Sequence, residues 1–128
     1  MADLIFEKSK KELSWPAKKL KWSAVSGPHR LGPLPSGLYD IGRREITDYT
    51  NQIDRSYRDK TGRGFFVPIY PRFSTHRGKN GGRLGIHPDG NIPGTLGCIG
   101  ITDNSAKSFH DAMKAASPGA KLLLIVKE

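Results

Sequence analysis

Short apolar runs separated by glycines and prolines extend along this chain, and they constrain its fold more than any other feature of the sequence. The chain contains 15 glycines and 9 prolines, which fall between the apolar runs and do not gather in one tail. This distribution is typical of a protein built from many short strands and turns. The length of 128 residues and the 36% hydrophobic fraction fit one domain with one core, spanning residues 1–128. We therefore expect a single, mostly β domain.

Alternating and β-branched runs predict where the strands lie. Residues 4–6, 13–15 and 20–25 predict an antiparallel three-stranded meander, and we expect both tryptophans, Trp15 and Trp22, to pack in the core. Further strands are expected at residues 38–42, 64–71, 83–87 and 121–126, the last of them buried. The prolines of the 64–71 run favour a sheet edge or a bend.

One helix is predicted, beginning after Thr102 or Asp103, either of which can cap it. Its apolar face carries Ala106, Phe109, Met113 and Ala116. The helix ends before Pro118. Residues 43–63 are charged and poor in apolar side chains, and they predict a long surface excursion over the sheet.

The balance of charges is strongly basic, with 21 Lys and Arg against 12 Asp and Glu and a net charge of +9. Such a surface attracts polyanions, including nucleic acid, anionic lipid and the acidic bacterial cell wall, and charge alone does not choose among them. The one cysteine, Cys98, excludes an intramolecular disulfide. No secretory signal or membrane span is visible, so we expect a soluble chain made in the cytoplasm.

The stretch from residue 85 to residue 101 carries the strongest sign of chemistry. His87 ends a predicted strand, a loop rich in glycine and proline follows, and Cys98 comes directly after Gly97. A thiol must lose its proton to attack, and a neighbouring imidazole can accept that proton. Gly97 allows close backbone approach, so the N–H groups of Gly97 and Cys98 could stabilise an oxyanion. Taken alone, a single cysteine is more often a small buried side chain.

This arrangement resembles the catalytic motif of the YkuD-like L,D-transpeptidases, in which a histidine precedes a Ser/Thr-His-Gly-Cys signature by a short loop. Residues 95–98, Thr-Leu-Gly-Cys, match three of those four positions. Residues 26–27 and 32–42 are similar to a segment of these domains with the pattern Thr/Ile-Pro-x-Gly-x-Tyr-x-Ile. The resemblance covers most of the chain and is closest to the variant branch that includes antibacterial effectors delivered by secretion systems.

The resemblance implies a β-sandwich-like fold, with Cys98 as nucleophile and His87 as base. It implies a peptidoglycan stem peptide as substrate, cleaved after meso-diaminopimelate through an acyl-enzyme that an amine or water resolves. No metal or cofactor is expected. The chain would act in the periplasm or cell wall as an antibacterial effector or phage lysis factor, as a monomer, with an immunity protein or delivery machinery as possible partners.

Two residues depart from the family pattern. Leu96 stands where a histidine is usual, and Gly100 stands where arginine or asparagine is usual. Side chains near the motif in sequence are the candidates to bind the substrate in their place: Arg83, Asp89, Thr95, Asn104 and His76. His76 could also orient or replace His87. Because these departures leave the acceptor side least defined, we expect hydrolysis to exceed crosslinking.

Three alternatives compete with this interpretation. The first is a basic nucleic-acid-binding β domain, with stacking platforms at Trp22, Tyr39, Phe65, Phe66 and Tyr70. The enzyme hypothesis instead predicts only non-specific binding of nucleic acid. The second is a metal site formed by His76, His87, Asp89 and Cys98, whose spacing is unlike that of ordinary zinc ligands. The third is a phage structural protein that keeps the fold without catalysis.

Overall fold

The computed structural model describes residues 3–26, 35–42, 45–53, 57–73, 84–88, 99–102, 106–116 and 121–128. Within these ranges the chain forms eight strands and one α-helix. In chain order they are β1 (Leu4–Glu7), β2 (Glu12–Trp15), β3 (Leu20–Ser26), β4 (Gly37–Ile41), β5 (Val67–Pro71), β6 (Gly85–Pro88), β7 (Ile99–Ile101), α1 (Ala106–Ala115) and β8 (Leu123–Lys127). A 3₁₀ turn at Pro16–Lys18 joins β2 to β3. The prediction of a mostly β fold with one helix after Cys98 is confirmed.

The strands close into a barrel with the order β1-β2-β3-β7-β6-β5-β4-β8. The pairs β1–β8 and β6–β7 are parallel, and the other neighbours are antiparallel. The N-terminal meander is confirmed, since β1, β2 and β3 pair in that order. The parallel pair β6–β7 joins the strand that carries His87 to the strand that follows Cys98.

Strand β5 is not at an edge of the sheet, so that part of the expectation was wrong. It pairs with β4 through Ile69 and with β6 through Val67 and Pro68. Proline has no N–H to donate, but its carbonyl still serves the ladder: the Gly42 N–H donates to the Pro68 oxygen at 2.8 Å. A closed barrel leaves no edge for such a strand to occupy.

The helix α1 packs its apolar face on the barrel, as its spacing predicted. Ala106, Phe109 and Met113 are buried. Trp22 joins the helix to β3: its Nε1 donates to Ser108 Oγ at 2.8 Å, and its ring meets the Phe109 ring edge to face at 5.0 Å. The core position of both tryptophans is confirmed. Among the residues that the structure describes, no helix is long and apolar enough to cross a membrane.

Strand β8 completes the barrel between the first strand and the fourth. Leu124 pairs with Leu4 of β1 in parallel register and with Tyr39 of β4 in antiparallel register. Leu124 and Val126 point into the core, while Ile125 between them is half-buried. The predicted terminal strand is therefore confirmed, and it is bonded on both sides.

Candidate active site

His87 lies on the outer face of the barrel wall, next to the strand that follows Cys98. In the parallel pair β6–β7, Ile86 is opposite Ile99 and His87 is opposite Gly100. Both isoleucines belong to the core, and successive side chains of a strand point to opposite faces. His87 and Gly100 therefore share the outer face. Gly100 contributes no side chain at the position opposite the imidazole.

A backbone hydrogen bond selects the tautomer of the neutral His87 ring. Nδ1 lies 2.7 Å from the carbonyl oxygen of Pro88. A carbonyl oxygen only accepts hydrogen bonds, so Nδ1 carries the proton and the neutral ring keeps its lone pair on Nε2. The side chain is only 3% exposed. The structure thus holds a buried imidazole in the tautomer in which Nε2 is the basic nitrogen.

Two aromatic rings cover this imidazole. The Tyr57 ring centroid lies 4.6 Å from that of His87, and the Phe66 ring stacks nearly parallel to it at 6.2 Å. The two covering rings also contact each other at 4.9 Å. Gly85 makes room for Phe66, because a Cβ at that position would overlap the phenyl ring. Apolar rings on the imidazole exclude water, and charges interact more strongly in such surroundings than in bulk water.

Tyr57 is held over His87 by a short arm of irregular structure, residues 57–64. Gly64 closes this arm: it exchanges backbone hydrogen bonds with Thr50, at 3.0 and 2.9 Å. Its Cα lies so close to Tyr57 that an added Cβ would overlap the Tyr57 carbonyl oxygen. Glycine is therefore required at position 64. Of the excursion predicted at residues 43–63, the described residues 45–53 and 57–63 are irregular as expected, and they carry the cover of the site.

Asp59 is the polar centre of the arm. Its carboxylate accepts hydrogen bonds from the Tyr49 hydroxyl and from the backbone N–H of Thr61, the latter at 2.8 Å. Burial raises the pKa of Asp59, but the hydrogen bonds from Thr61 and Tyr49 outweigh burial and hold the pKa below its ordinary value. On Tyr49, burial and the bond to Asp59 raise the pKa, which keeps the hydroxyl protonated as a donor.

We expect Asp59→Asn to lower the stability of the protein near neutral pH and to have less effect in acid. A carboxylate whose folded pKa is depressed contributes stability above its unfolded pKa of about 3.8, and loses it as the pH falls through the lower folded value. The difference in unfolding free energy between wild type and Asp59→Asn should therefore shrink from pH 6 to pH 3. Urea unfolding at each pH measures it. Thr61→Val, which removes one donor, should give a smaller change of the same form, and a difference independent of pH would contradict the assignment.

Of the residues predicted from the sequence to form the site, the structure describes His87. The others lie outside the described residues: Cys98, Gly97, Thr95, Arg83, Asp89, Asn104 and His76. Cys98 is bonded to Ile99, the first residue of β7. The sequence did not indicate Tyr57 or the Pro88 carbonyl as parts of the site. The one available signal was an aromatic residue in a segment of charged and polar neighbours.

Comparisons with protein-family models and with curated proteins found no match to this sequence. Among solved structures, the chain is similar to L,D-transpeptidase 1 of Mycobacterium tuberculosis, with a TM-score of 0.49 and 16% sequence identity. The similarity covers 98% of this chain and 60% of that one. This chain thus spans less than two thirds of the length of the mycobacterial structure.

The structure removes most of the surface that the nucleic-acid hypothesis required. The proposed stacking residues Trp22, Tyr39, Phe65 and Phe66 are all buried, so they lack the exposed faces that this alternative required. Tyr70 is 44% exposed, and its hydroxyl donates to Glu45 Oε2 at 2.6 Å. A single exposed ring gives no series of platforms for successive bases.

The metal hypothesis is tested only in part. Within the described portion of the chain, no group of three His, Cys, Asp or Glu side chains is placed to hold a metal ion. Three members of the set considered from the sequence, His76, Asp89 and Cys98, lie outside that portion. Their participation in a metal site stays a hypothesis from the sequence.

Proposed function

We propose that this protein is a cysteine acyltransferase of the L,D-transpeptidase type that acts on peptidoglycan stem peptides, with Cys98 as nucleophile and His87 as base. One observation carries the proposal: His87 is buried, fixed in one tautomer by the Pro88 carbonyl, and paired in β6 with the strand that directly follows Cys98. The sequence motif around His87 and Cys98 is the basis for assigning a thiol nucleophile and an imidazole base.

Covalent geometry favours an encounter between these two side chains. The Cα atoms of Cys98 and Ile99 are about 3.8 Å apart, as for any trans peptide. Ile99 pairs with Ile86, and neighbouring strands lie about 4.8 Å apart. Cys98 is thus one peptide bond from a residue that lies opposite the chain neighbour of His87. We propose that its thiol donates its proton to Nε2.

In the proposed first step, His87 Nε2 accepts the thiol proton as Cys98 Sγ attacks the carbonyl carbon of diaminopimelate. The backbone N–H groups of Gly97 and Cys98 stabilise the oxyanion. The C–N bond to the fourth residue breaks, and the imidazolium returns the proton to the departing amine. A thioester on Cys98 and a neutral His87 result. The hydrogen bond from Nδ1 to the Pro88 oxygen stabilises the imidazolium between these events.

The second step decides the product. His87 accepts a proton from water as its oxygen adds to the thioester carbonyl, and the Cys98 thiol leaves with that proton. The product is a stem tripeptide. An amine that attacks in place of water gives a crosslink or an exchanged residue. We propose that Tyr57 and Phe66 limit access to the imidazole, because their rings cover it.

The remaining site residues and the biological setting belong to the same proposal. We assign substrate binding to Arg83, Asp89, Thr95, Asn104 and His76, on their position in the sequence near the motif. The net charge of +9 suits an acidic wall polymer. We further propose action in the periplasm or cell wall, after delivery as an antibacterial effector or release as a phage lysis factor. An immunity protein would then be the expected partner in the producing cell.

We expect hydrolysis to dominate the reaction. Transpeptidation requires a groove that orders an acceptor amine beside the thioester, and the departures at Leu96 and Gly100 remove side chains that the L,D-transpeptidases use beside their nucleophile. Purified protein with monomeric tetrapeptide muropeptide should yield mainly tripeptide, even with excess D-methionine, as measured by mass spectrometry. Cys98→Ala is the control and should yield none. Dominance of the D-methionine product or of a 3-3 dimer would contradict hydrolysis as the main activity.

A further inference from the structure

A groove lined by lysines lies on the outer side of the barrel. Six lysines fall between positions 8 and 21, five of them on the two turns that flank β2 and Lys21 in β3. Three of them, Lys10, Lys11 and Lys21, line a cavity of about 180 Å³ together with Glu12, Trp22 and Ser23. With three ammonium groups and one carboxylate, the lining of this lysine groove is net positive.

Two lysines at these turns occupy strained backbone positions. Lys11 has a φ of 52° and Lys19 has a φ of 56°. This left-handed region disfavours residues with a Cβ, and glycine or asparagine normally takes it. The chain uses glycine at other positive-φ positions, such as Gly62. Lysine side chains therefore stand at both turns where the backbone alone would favour a different residue.

Most of these cations lack an ion-pair partner. Lys8 pairs with Glu128 at 2.8 Å, and Lys10 pairs with Glu7 at 3.5 Å. Across the ranges that the structure describes, Lys11, Lys19 and Lys21 form no salt bridge. All three are exposed. Unpaired ammonium groups concentrated on one surface attract anions and release counterions when they bind them.

The side chains that line the groove restrict the class of anionic ligand that it can bind. Trp15 and Trp22 of the adjoining strands are buried, so the groove offers no exposed ring for a nucleobase to stack on. Its charged groups are lysines, which act as point charges and lack the planar fork that gives arginine its geometric specificity. We propose that the lysine groove binds a flexible anionic polymer with repeated phosphate groups, through charge alone.

This site is separate from the proposed catalytic centre. Val25 of β3 pairs with Gly100, which lies opposite His87. Ser23, the lining residue nearest to Val25, comes two residues earlier in β3, about 7 Å along the strand at about 3.3 Å per residue, and β3 lies two strands away from β6, about 10 Å across the sheet. A polymer held at the groove would keep the protein close to an anionic surface without occupying the site at His87. Binding can thus be measured in Cys98→Ala protein, and its outcome does not depend on peptidoglycan cleavage.

The test measures binding of inorganic polyphosphate to Cys98→Ala protein by calorimetry at several salt concentrations. We expect the added double substitution Lys11→Gly and Lys21→Gln to weaken binding at least tenfold and to lower the salt dependence by the equivalent of about two phosphate contacts. The same variant should unfold at an unchanged or higher temperature, because glycine relieves the backbone. If the variant loses binding but keeps its stability, the substituted lysines bind the ligand and are not required for folding.

The matched control removes two lysines elsewhere, Lys107→Gln and Lys114→Gln on α1, and should weaken binding less than twofold. Lys11→Asn with Lys21→Gln gives a second version of the test should the glycine variant fold poorly. Equal losses of affinity in the control and groove variants would show that only net charge matters, and would overturn the proposal. The proposal would also be overturned by undetectable binding of polyphosphate or by wild-type affinity in the groove variants. An oligonucleotide of equal charge that binds tenfold more tightly than polyphosphate would overturn it as well.

Discussion

Replacing His87 with asparagine should lower kcat/KM for stem-peptide cleavage by about a thousandfold. Asparagine places an N–H near the position of Nδ1 and can still donate to the Pro88 oxygen, but it has no basic nitrogen in place of Nε2. A general base contributes about 10²- to 10⁴-fold to rate, and here it also generates the nucleophile. Cleavage of tetrapeptide muropeptide under subsaturating conditions measures the loss.

Alkylation of Cys98 by iodoacetamide tests the same pair without substrate. In the wild type the thiol should react near neutral pH. In His87→Asn the reaction should require a higher pH, close to the pKa of a free cysteine of about 8.5. His110→Gln is the matched control: His110 is the second buried histidine of the described chain, and its Nε2 lies 2.8 Å from the Thr47 carbonyl oxygen. Glutamine can retain that bond. An alkylation profile unchanged by His87→Asn would remove His87 from the mechanism.

Gly64→Ala should destabilise the protein by about 3 kcal/mol, the upper end of the range for overpacking, because the new methyl group meets backbone that has little room to move. The methyl group would overlap the Tyr57 carbonyl, so the arm of residues 57–64 must shift. Tyr57 would then leave the face of His87. We expect lower kcat as well as lower stability, measured by urea unfolding and by turnover at saturating substrate.

Gly62→Ala is the control for this prediction, since it lies in the same arm. Gly62 has a φ of 85°, and an added Cβ would meet no atom within 4 Å. Alanine there carries only the conformational penalty of a left-handed residue, about 1 kcal/mol. Turnover should change little. If both variants lost the same stability and the same activity, close packing against Tyr57 would not explain the requirement for glycine.

Local patterns predicted the strands well, because alternation and turn residues are written into each segment. Residues 20–25 alternate apolar and polar side chains, and β3 forms there with Trp22 and Ala24 buried. The order of strands around the barrel did not follow from such patterns. Pairing of β1 with β8 depends on hydrogen bonds between residues more than a hundred positions apart. The prolines of β5 led to the wrong prediction of an edge strand for the same reason, because the local sequence does not indicate that the sheet closes into a barrel.

The candidate site was predicted in part for a related physical reason. A histidine at the end of a strand is visible in sequence, and His87 lies where the pattern predicted. Its cover was not visible. Tyr57 reaches His87 through an arm with no periodicity, fixed by single contacts such as Gly64 against the Tyr57 backbone. Phe66 was named only as a stacking platform of the nucleic-acid alternative, but it stacks on the imidazole, a contact that no local pattern encodes.

The placement of β8 also governs the order in which the barrel can assemble. The barrel needs residues 123–127 to bridge β1 and β4, and these residues follow both strands in the chain. Until they pair, β1 and β4 keep unpaired N–H and C=O groups, which are open to pairing with other chains. Closure therefore joins segments that are distant in sequence, which slows folding in high-contact-order proteins. A variant in which β8 cannot pair should leave both strands uncapped, and such a protein should aggregate.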